Sequence, residues 1–551
     1  MIKNWPLIPL DNLVTKVGSG STPKGGETVY KSEGVPFIRS MNVVFFGFKH
    51  TGLAFLDNKQ ADGLKNAEVK ALDILLNITG ASIGRVTLAP KSLEGARVNQ
   101  HVCIIRPNEA LEPRFLNAYF SSPAMQSRIW ADNYGVTRQA LTKQQILDFE
   151  IPLAPLPEQK RIADKLDATL ARVDVCRERL ARVAPILKRF RQSVLAAAVS
   201  GRLTADWRAQ QAGGDNIPLT TESPDQPAVI EPASGNQAQT RSPDAAQRNP
   251  GSNAPHSPGV ITDENLVANC LNAAQIIDHI GKAQKTAKIR LRGGVILPSM
   301  EDIPDEIELP SGWAVTGFDT IAAAEANALK AGPFGSALKK NMYVTSGYKI
   351  YGQEQVIAGS ETIGDYFIDE IKFKELESCA VKPGDILISL VGTIGRVLIL
   401  SENCCPGIIN PRLVKLSLHH LISRSFISLY LCSPLAQKFF AKQSHGGTMD
   451  ILNLGILREL PILLPSCKEQ HEIVRRVESL FAFADRLEAR LAAAQTAAEQ
   501  LTPALLAKAF RGELVPQDPA DEPASELLQR LAASRASAAK PKRSRTPRQP
   551  A

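Results

Sequence analysis

A chain that repeats itself at a fixed spacing must fold as copies of one unit, and this one repeats at 311 residues. The stretch that opens at Glu158, Gln159 and Ile162 and closes at Gly201 and Leu203 returns at Glu469, Gln470, Ile473, Gly512 and Leu514. Every matched pair is 311 apart, with no gap. Upstream, Asp73 to Val86 recurs as Asp385 to Val397, the offset passing from 312 to 311 within a glycine turn. Leu141, Ile146 and Phe149 fall on Leu452, Leu457 and Leu460 at the same 311, and Trp5 and Trp313 open the two halves alike. The chain is thus a tandem of one unit, a variable globular part followed by a long helical part.

The helical parts carry a seven-residue apolar repeat. Leu166, Val173, Leu180, Leu187 and Val194 take one core position, and Ile162, Thr169, Cys176, Val183, Phe190 and Ala197 the other. Their equivalents are Val477, Ala484, Leu491, Ala498 and Leu505, with Ile473, Leu480, Leu487, Ala494 and Leu501. A heptad sustained this long predicts a coiled-coil seam, with the two helices packed on each other inside one chain. About 40 residues at about 1.5 Å per residue gives each helix a length of roughly 60 Å. Pro185 and Pro503 predict a bend or short break in each, because proline removes a backbone hydrogen bond. The plainer reading is a helical hairpin that only holds the protein together. Two globular units held apart make most sense if both touch one extended object, of which DNA is the obvious example.

Each globular part reads as α+β. Val35 to Arg39, Asp73 to Ile78, Val102 to Ile105 and Asp385 to Leu390 look like short strands between Gly, Pro and Asn turns. The turn from Gly80 to Gly84, like its copy from Gly392 to Gly395, is followed by an arginine. A phosphate cradle would need Lys-Ser or Lys-Thr after its last glycine, so the alternative is a tight turn between strands. Residues 209–260, rich in Gln, Ala, Pro, Ser, Asn and Asp, predict a flexible linker; helical spacing returns over 261–285.

Composition removes several classes of function. The net charge of +8 falls to +1 without the seven lysines and arginines that follow Glu526, so it is mostly a property of the tail. That tail predicts a disordered arm with non-specific affinity for phosphate. None of the eight cysteines forms a C-x-x-C pair, and no metal-ligand spacing appears; most of the cysteines read as small core residues. No apolar run is long enough to span a bilayer, and the first residues lack the apolar core of a signal peptide, so a cytoplasmic protein is expected. There is no Walker lysine loop and no glycine-rich cofactor loop joined to Asn-Pro-Pro-aromatic, since Arg412 follows Asn410 and Pro411. No cofactor, metal or catalytic site is expected.

The order of motifs resembles the specificity subunits of type I restriction–modification systems. Each half has a strand, a glycine turn ending in Gly-Arg, then Asn99-Gln100 or Asn410-Pro411-Arg412, then a strand. Gly20 to Pro23 before Val35 to Arg39 is similar to that family, as is the entry to the long helix from Ile151 to Gln159, repeated from Leu460 to Gln470. Closest of all are the run from Leu187 to Ala198 and the ending from Ser200 to Leu203. The likeness covers roughly 1–207 and 296–515; a long linker and the basic tail lie outside it.

The resemblance implies an α+β fold with two tandem target-recognition domains, each followed by a long helix, the helices pairing as an antiparallel coiled coil. The expected divisions are 1–157, first recognition domain; 158–207, central helix; 208–295, linker; 296–466, second recognition domain; 467–515, C-terminal helix; and 516–551, disordered basic tail. It further implies a non-catalytic subunit that binds double-stranded DNA, reads a split asymmetric site and docks two methyltransferase subunits on its helices. Restriction–translocation subunits join after them. Sequence must be read by side chains that reach base edges, whereas phosphate contacts set register. The candidates are Arg85, Asn99, Gln100, Arg138, Gln139 and Lys143 in the first half, and Lys339, Lys340, Arg396, Asn410, Arg412 and Thr448 in the second. For each, a solvated surface residue is the competing reading. Competing functions are a stand-alone DNA-binding regulator with duplicated readers, an enzyme with unseen motifs and a scaffold.

Overall fold

The computed structural model describes residues 5–131, 140–213, 271–289, 294–334, 337–390, 395–443 and 452–538. The chain divides into two compact units that are not consecutive pieces. The first joins residues 1–184 to 489–551, and the second is residues 185–488.

In the first unit the strands Val14–Ser19, Val102–Pro107, Ile74–Asn77 and Val86–Leu88 lie side by side in that order, all antiparallel. Alternation along them decides what they cover. Ile74, Leu76, Cys103 and Ile105 point into a core that also holds Ile162, Leu166 and Leu170 of the helix Leu156–Val199. Leu75, Val102 and Ile104 point the other way, into a core shared with Ile38 and Val98 of a second sheet. An antiparallel sheet covered on both faces needs this unbroken apolar run, and each buried Leu, Ile or Val contributes about 1.5–3 kcal/mol. Burial pushes the Cys103 thiol up to about 12, which leaves it a neutral core group.

The second unit repeats the plan. Leu329–Ala331, Leu413–Leu416, Ile386–Ser389 and Val397–Ile399 form its four-stranded sheet in the same order. Ile386 and Ile388 face one core and Leu387 the other. The smaller sheets also correspond. Val35–Ile38 pairs antiparallel with Ala54–Leu56 and parallel with Arg97–Val98, as Tyr348–Tyr351 does with Phe367–Ile368 and Gly407–Ile409.

Both long helices, Leu156–Val199 and Cys467–Phe510, run unbroken through Pro185 and Pro503, so the expected short break is absent. One lost hydrogen bond does not end a helix that packing holds on either side of the proline. The helices pair antiparallel. Arg177 donates to the Ala498 carbonyl at 3.0 Å and the Thr502 hydroxyl at 3.0 Å in the first unit, and Arg191 meets Asp485 at 2.6 Å and Glu488 at 3.1 Å in the second. The seam is narrower than the two heptad rows suggest. Val477, Ala484, Leu491 and Ala498 are buried, whereas Cys176 and Leu501 of the other row are exposed.

The far end of each long helix completes a core built by the other half of the sequence. Val194, Ala198 and Val199 pack with Phe318, Ile386 and Tyr430, and Leu506 and Ala509 pack with Leu76, Phe115 and Ile129. A further helix follows each end and returns to the same core. Ala273–Thr286 inserts Ile276 and Ile280, and Ala524–Ala538 inserts Leu527. The first lies within the span expected as linker and the second within the span expected as a disordered tail. Their apolar spacing is short, but a ready-made groove accepts it. Exposed Cys405 and Cys432 join Cys176 as exceptions to the core reading of the cysteines.

Candidate nucleic-acid interface

In each unit four chain segments converge at one end of the four-stranded sheet. The first segment is a glycine loop. A Cβ on Gly20 would lie 1.7 Å from the Val98 carbonyl oxygen, and one on Gly332 would lie 1.9 Å from that of Asn410. No side chain fits there, so only glycine lets this loop seat against the second segment, the loop that opens at Asn99 or Asn410.

That second loop has the same backbone frame in both units. The Asn99 Oδ1 accepts from the His101 N–H at 3.0 Å, and the Asn410 Oδ1 accepts from the Arg412 N–H at 2.9 Å. Val102 and Leu413 each donate back to the asparagine carbonyl, at 3.3 and 3.2 Å. The His101 carbonyl accepts from Ile78 at 3.0 Å, as the Arg412 carbonyl does from Leu390 at 2.9 Å. The third segment lies between paired strands, and in the first unit it is the glycine turn at Gly80, a hairpin. Arg85 and Arg396 are exposed there, and their carbonyls accept from Asn77 at 2.8 Å and Ser389 at 2.9 Å. The hairpin reading therefore holds for the turn at Gly80. The fourth segment re-enters at Leu141 and Leu452, which donate to the carbonyls of Ile78 at 2.9 Å and Leu390 at 2.8 Å.

On these matching frames the side chains differ. In the first unit Thr22 donates to the Gln100 Oε1, and the Gln100 amide lies 3.1 Å from the His101 Nε2. The His101 Nδ1 is 2.5 Å from the Thr79 hydroxyl. With the amide nitrogen donating to Nε2, Nδ1 carries the ring proton and donates to Thr79. The ring is held on both sides. In the second unit Pro411 stands where Gln100 does, and Arg412 is exposed with one long contact of 3.5 Å to the Gln353 Oε1. Gln353 also donates to the Ser389 hydroxyl at 2.9 Å.

The twelve sequence candidates are thus dispersed unequally. Asn99 with Gln100, and Asn410 with Arg412, are gathered in the convergent loops; Asn99 is 6% exposed and holds the loop in shape. Arg85 and Arg396 sit on the adjoining turns. Lys143 is exposed at the start of the helix Lys143–Leu147, two residues beyond Leu141. Lys339 and Lys340 are exposed in a separate turn and share no hydrogen bond with Asn410 or Arg412 among the described residues. Arg138, Gln139 and Thr448 lie outside the described residues. Thr22, Thr79, His101 and Gln353 were not among the candidates. Carrying Arg412 back by the 311-residue offset lands on His101 and would have found it.

Among the described residues no cluster of His, Cys, Asp and Glu could hold a metal ion, and no helix is long and apolar enough to cross a membrane.

Comparison with known proteins agrees with this architecture. The family described as the type I restriction modification DNA specificity domain matches residues 2–184 and 334–494. The type I restriction enzyme EcoBI specificity subunit of Escherichia coli is 29% identical over 98% of this chain and 94% of its own length. The EcoKI specificity subunit of Escherichia coli strain K12 is 25% identical over 98% of both chains. A solved chain from work on complex assembly and conformational transition of the type I R-M system shares the fold, with a TM-score of 0.53 at 16% identity over 93% of this chain and 99% of its own. With duplicated recognition domains and paired helices, the chain belongs to the DNA specificity subunits of type I restriction–modification systems.

Proposed function

We propose that this chain is the non-catalytic reader of a split, asymmetric DNA site, one half read by each unit. The observation that carries this reading is the pair of convergent loops. Their backbone frames share the hydrogen bonds around Asn99 and Asn410, while the side chains they present differ. A frame kept constant with its tips varied is what two readers of unlike sequences need. Arg85, Gln100, Lys143, Arg396 and Arg412, all exposed, serve as base or phosphate contacts. Lys339, Lys340, Arg138, Gln139 and Thr448 are further phosphate or base contacts. Asn99 and Asn410 shape the loops.

The paired helices dock two methyltransferase subunits and set the spacer between half-sites. Restriction–translocation subunits join through them, and the assembly acts in the cytoplasm. Methylation and cleavage belong to those partners, and this chain holds no cofactor.

A genome-wide map of methylated adenines, with and without the gene, tests the proposal. Loss of one split motif on deletion is expected. An unchanged map in a host that expresses the partner subunits would overturn it.

A further inference from the structure

The duplication makes the two loops a controlled comparison inside one molecule. We propose that positions 101 and 412 are one reading position in two copies. His101 specifies a base pair in the half-site of the first unit, and Arg412 specifies a guanine in that of the second. The proposal rests on the split-site reading above and names the residues that carry it.

Three observations support it. First, the two residues are equivalent by structure as well as by the 311-residue offset. Each donates its N–H to an asparagine Oδ1 two residues earlier, and each offers its carbonyl to the residue that follows the neighbouring strand end. Second, the residue before each is Gln100 or Pro411. Proline has no side-chain donor or acceptor, so the shared reading role cannot sit at that position. Third, both side chains carry groups that can address a base edge: the Arg412 guanidinium is exposed, and the His101 ring, kept in place by Thr79, can exchange its contact with the exposed Gln100 for one to a base. Arg412 is exposed, with a single long contact of 3.5 Å among the described residues, leaving its guanidinium fork available for the O6 and N7 of guanine. His101 is half-buried and has its ring oriented by Thr79 and Gln100. A ring held in place before binding loses less freedom when it binds.

Two other roles make different predictions. A phosphate contact weakens binding evenly whatever the base, and a structural role costs stability without altering base preference.

The test uses the chain assembled with its methyltransferase subunits, mapping modified sites for wild type, R412K, R412Q and H101A. In R412K and R412Q, discrimination at one guanine of one half-site should fall roughly tenfold to a hundredfold, the range for a bidentate arginine–guanine pair. R412K keeps the charge, so its loss of discrimination separates base reading from phosphate binding. H101A should relax one position of the other half-site. In each variant the untouched half-site reports that the complex is folded and assembled. Should a variant modify too little DNA to map, the affinity of the purified complex for duplexes carrying single base changes reads the same preference. Unchanged preference at every position, or a fall that is equal for all bases, overturns the proposal. Absence of any split motif in the wild type would instead overturn the reading beneath it.

Discussion

The two units share their frame and differ in the side chains that tie it. Beside the first long helix, Trp5 donates its indole N–H to Glu158 at 3.3 Å. At the equivalent place Glu469 takes the indole of Trp313 at 2.8 Å, the Thr204 hydroxyl at 2.7 Å and the guanidinium of Arg208, all deep in the unit. The loops show the opposite balance, with the His101 ring pinned on both sides and Arg412 loosely held. After the equivalent strands the first unit makes a hairpin, Val43–Val44 with Gly47–Phe48, and the second a helix, Gln353–Ala358. The difference teaches that the sheet and helix ends are held constant while insertions and tips between them are free to diverge.

The largest expected effect tests the tie. Glu469→Ala leaves a guanidinium and an indole N–H without their acceptor, and should destabilise the second unit by about 3 kcal/mol. Glu158→Ala takes the acceptor from the Trp5 indole and should cost the first unit about 1–2 kcal/mol. Hydrogen exchange read by mass spectrometry resolves the units separately, and equal losses would break the comparison.

Acid should act next, and unequally. His419 is buried in the second unit beside His420 and His279, and its Nδ1 accepts from the Leu421 N–H at 3.3 Å. Burial first, then those two histidines, lower its pKa from 6.5 to about 4. The unfolded chain therefore takes up a proton near 6.5 that the folded chain refuses. Stability is complete above about 6.5, falls as the pH drops from there to about 4, and then levels off, with a loss of about 3 kcal/mol. At the equivalent position the first unit has Asn108, which does not titrate. Denaturant melts between pH 7 and 4, run with H419N as control, should show this slope in wild type and flatten it in the variant. An identical slope in both would remove His419 from the account.

The glycine loops come third. Gly20→Ala and Gly332→Ala each force a loop away from a carbonyl less than 2 Å from the new Cβ, at a cost of about 1–2 kcal/mol. Each should loosen base preference only in the half-site of its own unit. Loosening of both halves by either variant would contradict separate reading.

The smallest effect concerns the two arginines that join the helices. Arg191 pairs with exposed carboxylates, so R191A should cost less than about 1 kcal/mol, and that cost should shrink in high salt. Arg177 bonds to the carbonyls of Ala498 and Glu499 besides pairing with Asp174 at 3.3 Å, so the cost of R177A should be less sensitive to salt. Thermal melts at low and high ionic strength distinguish them.

Much of this was legible in the sequence. The short apolar runs of Ile74 to Asn77 and of Ile386 to Ser389 between turn residues, and the heptads of the long helices, announced their elements because the apolar pattern reports which residues are buried. It does not report what buries them. Nothing local in Val194 or Leu506 says that each completes the core of the opposite half. Nor does the spacing within Ala524–Ala538 reveal that Leu527 has a groove to enter. At the site, donor-rich residues beside the motifs drew attention to Asn99, yet its side chain is consumed by its own loop. His101 was hidden because one histidine between a glutamine and a strand looks unremarkable until it is set against Arg412.

The most direct test of separate reading is the modification map of a chain in which residues 10–149 are replaced by a second copy of 318–460. Both ends of the graft fall at equivalent places, after the strands Leu7–Pro9 and Ala314–Thr316 and before Glu150–Pro152 and Ile462–Leu464. Separate reading predicts a symmetric motif in which the half-site of the second unit appears at both ends. Retention of the original first half-site would contradict it.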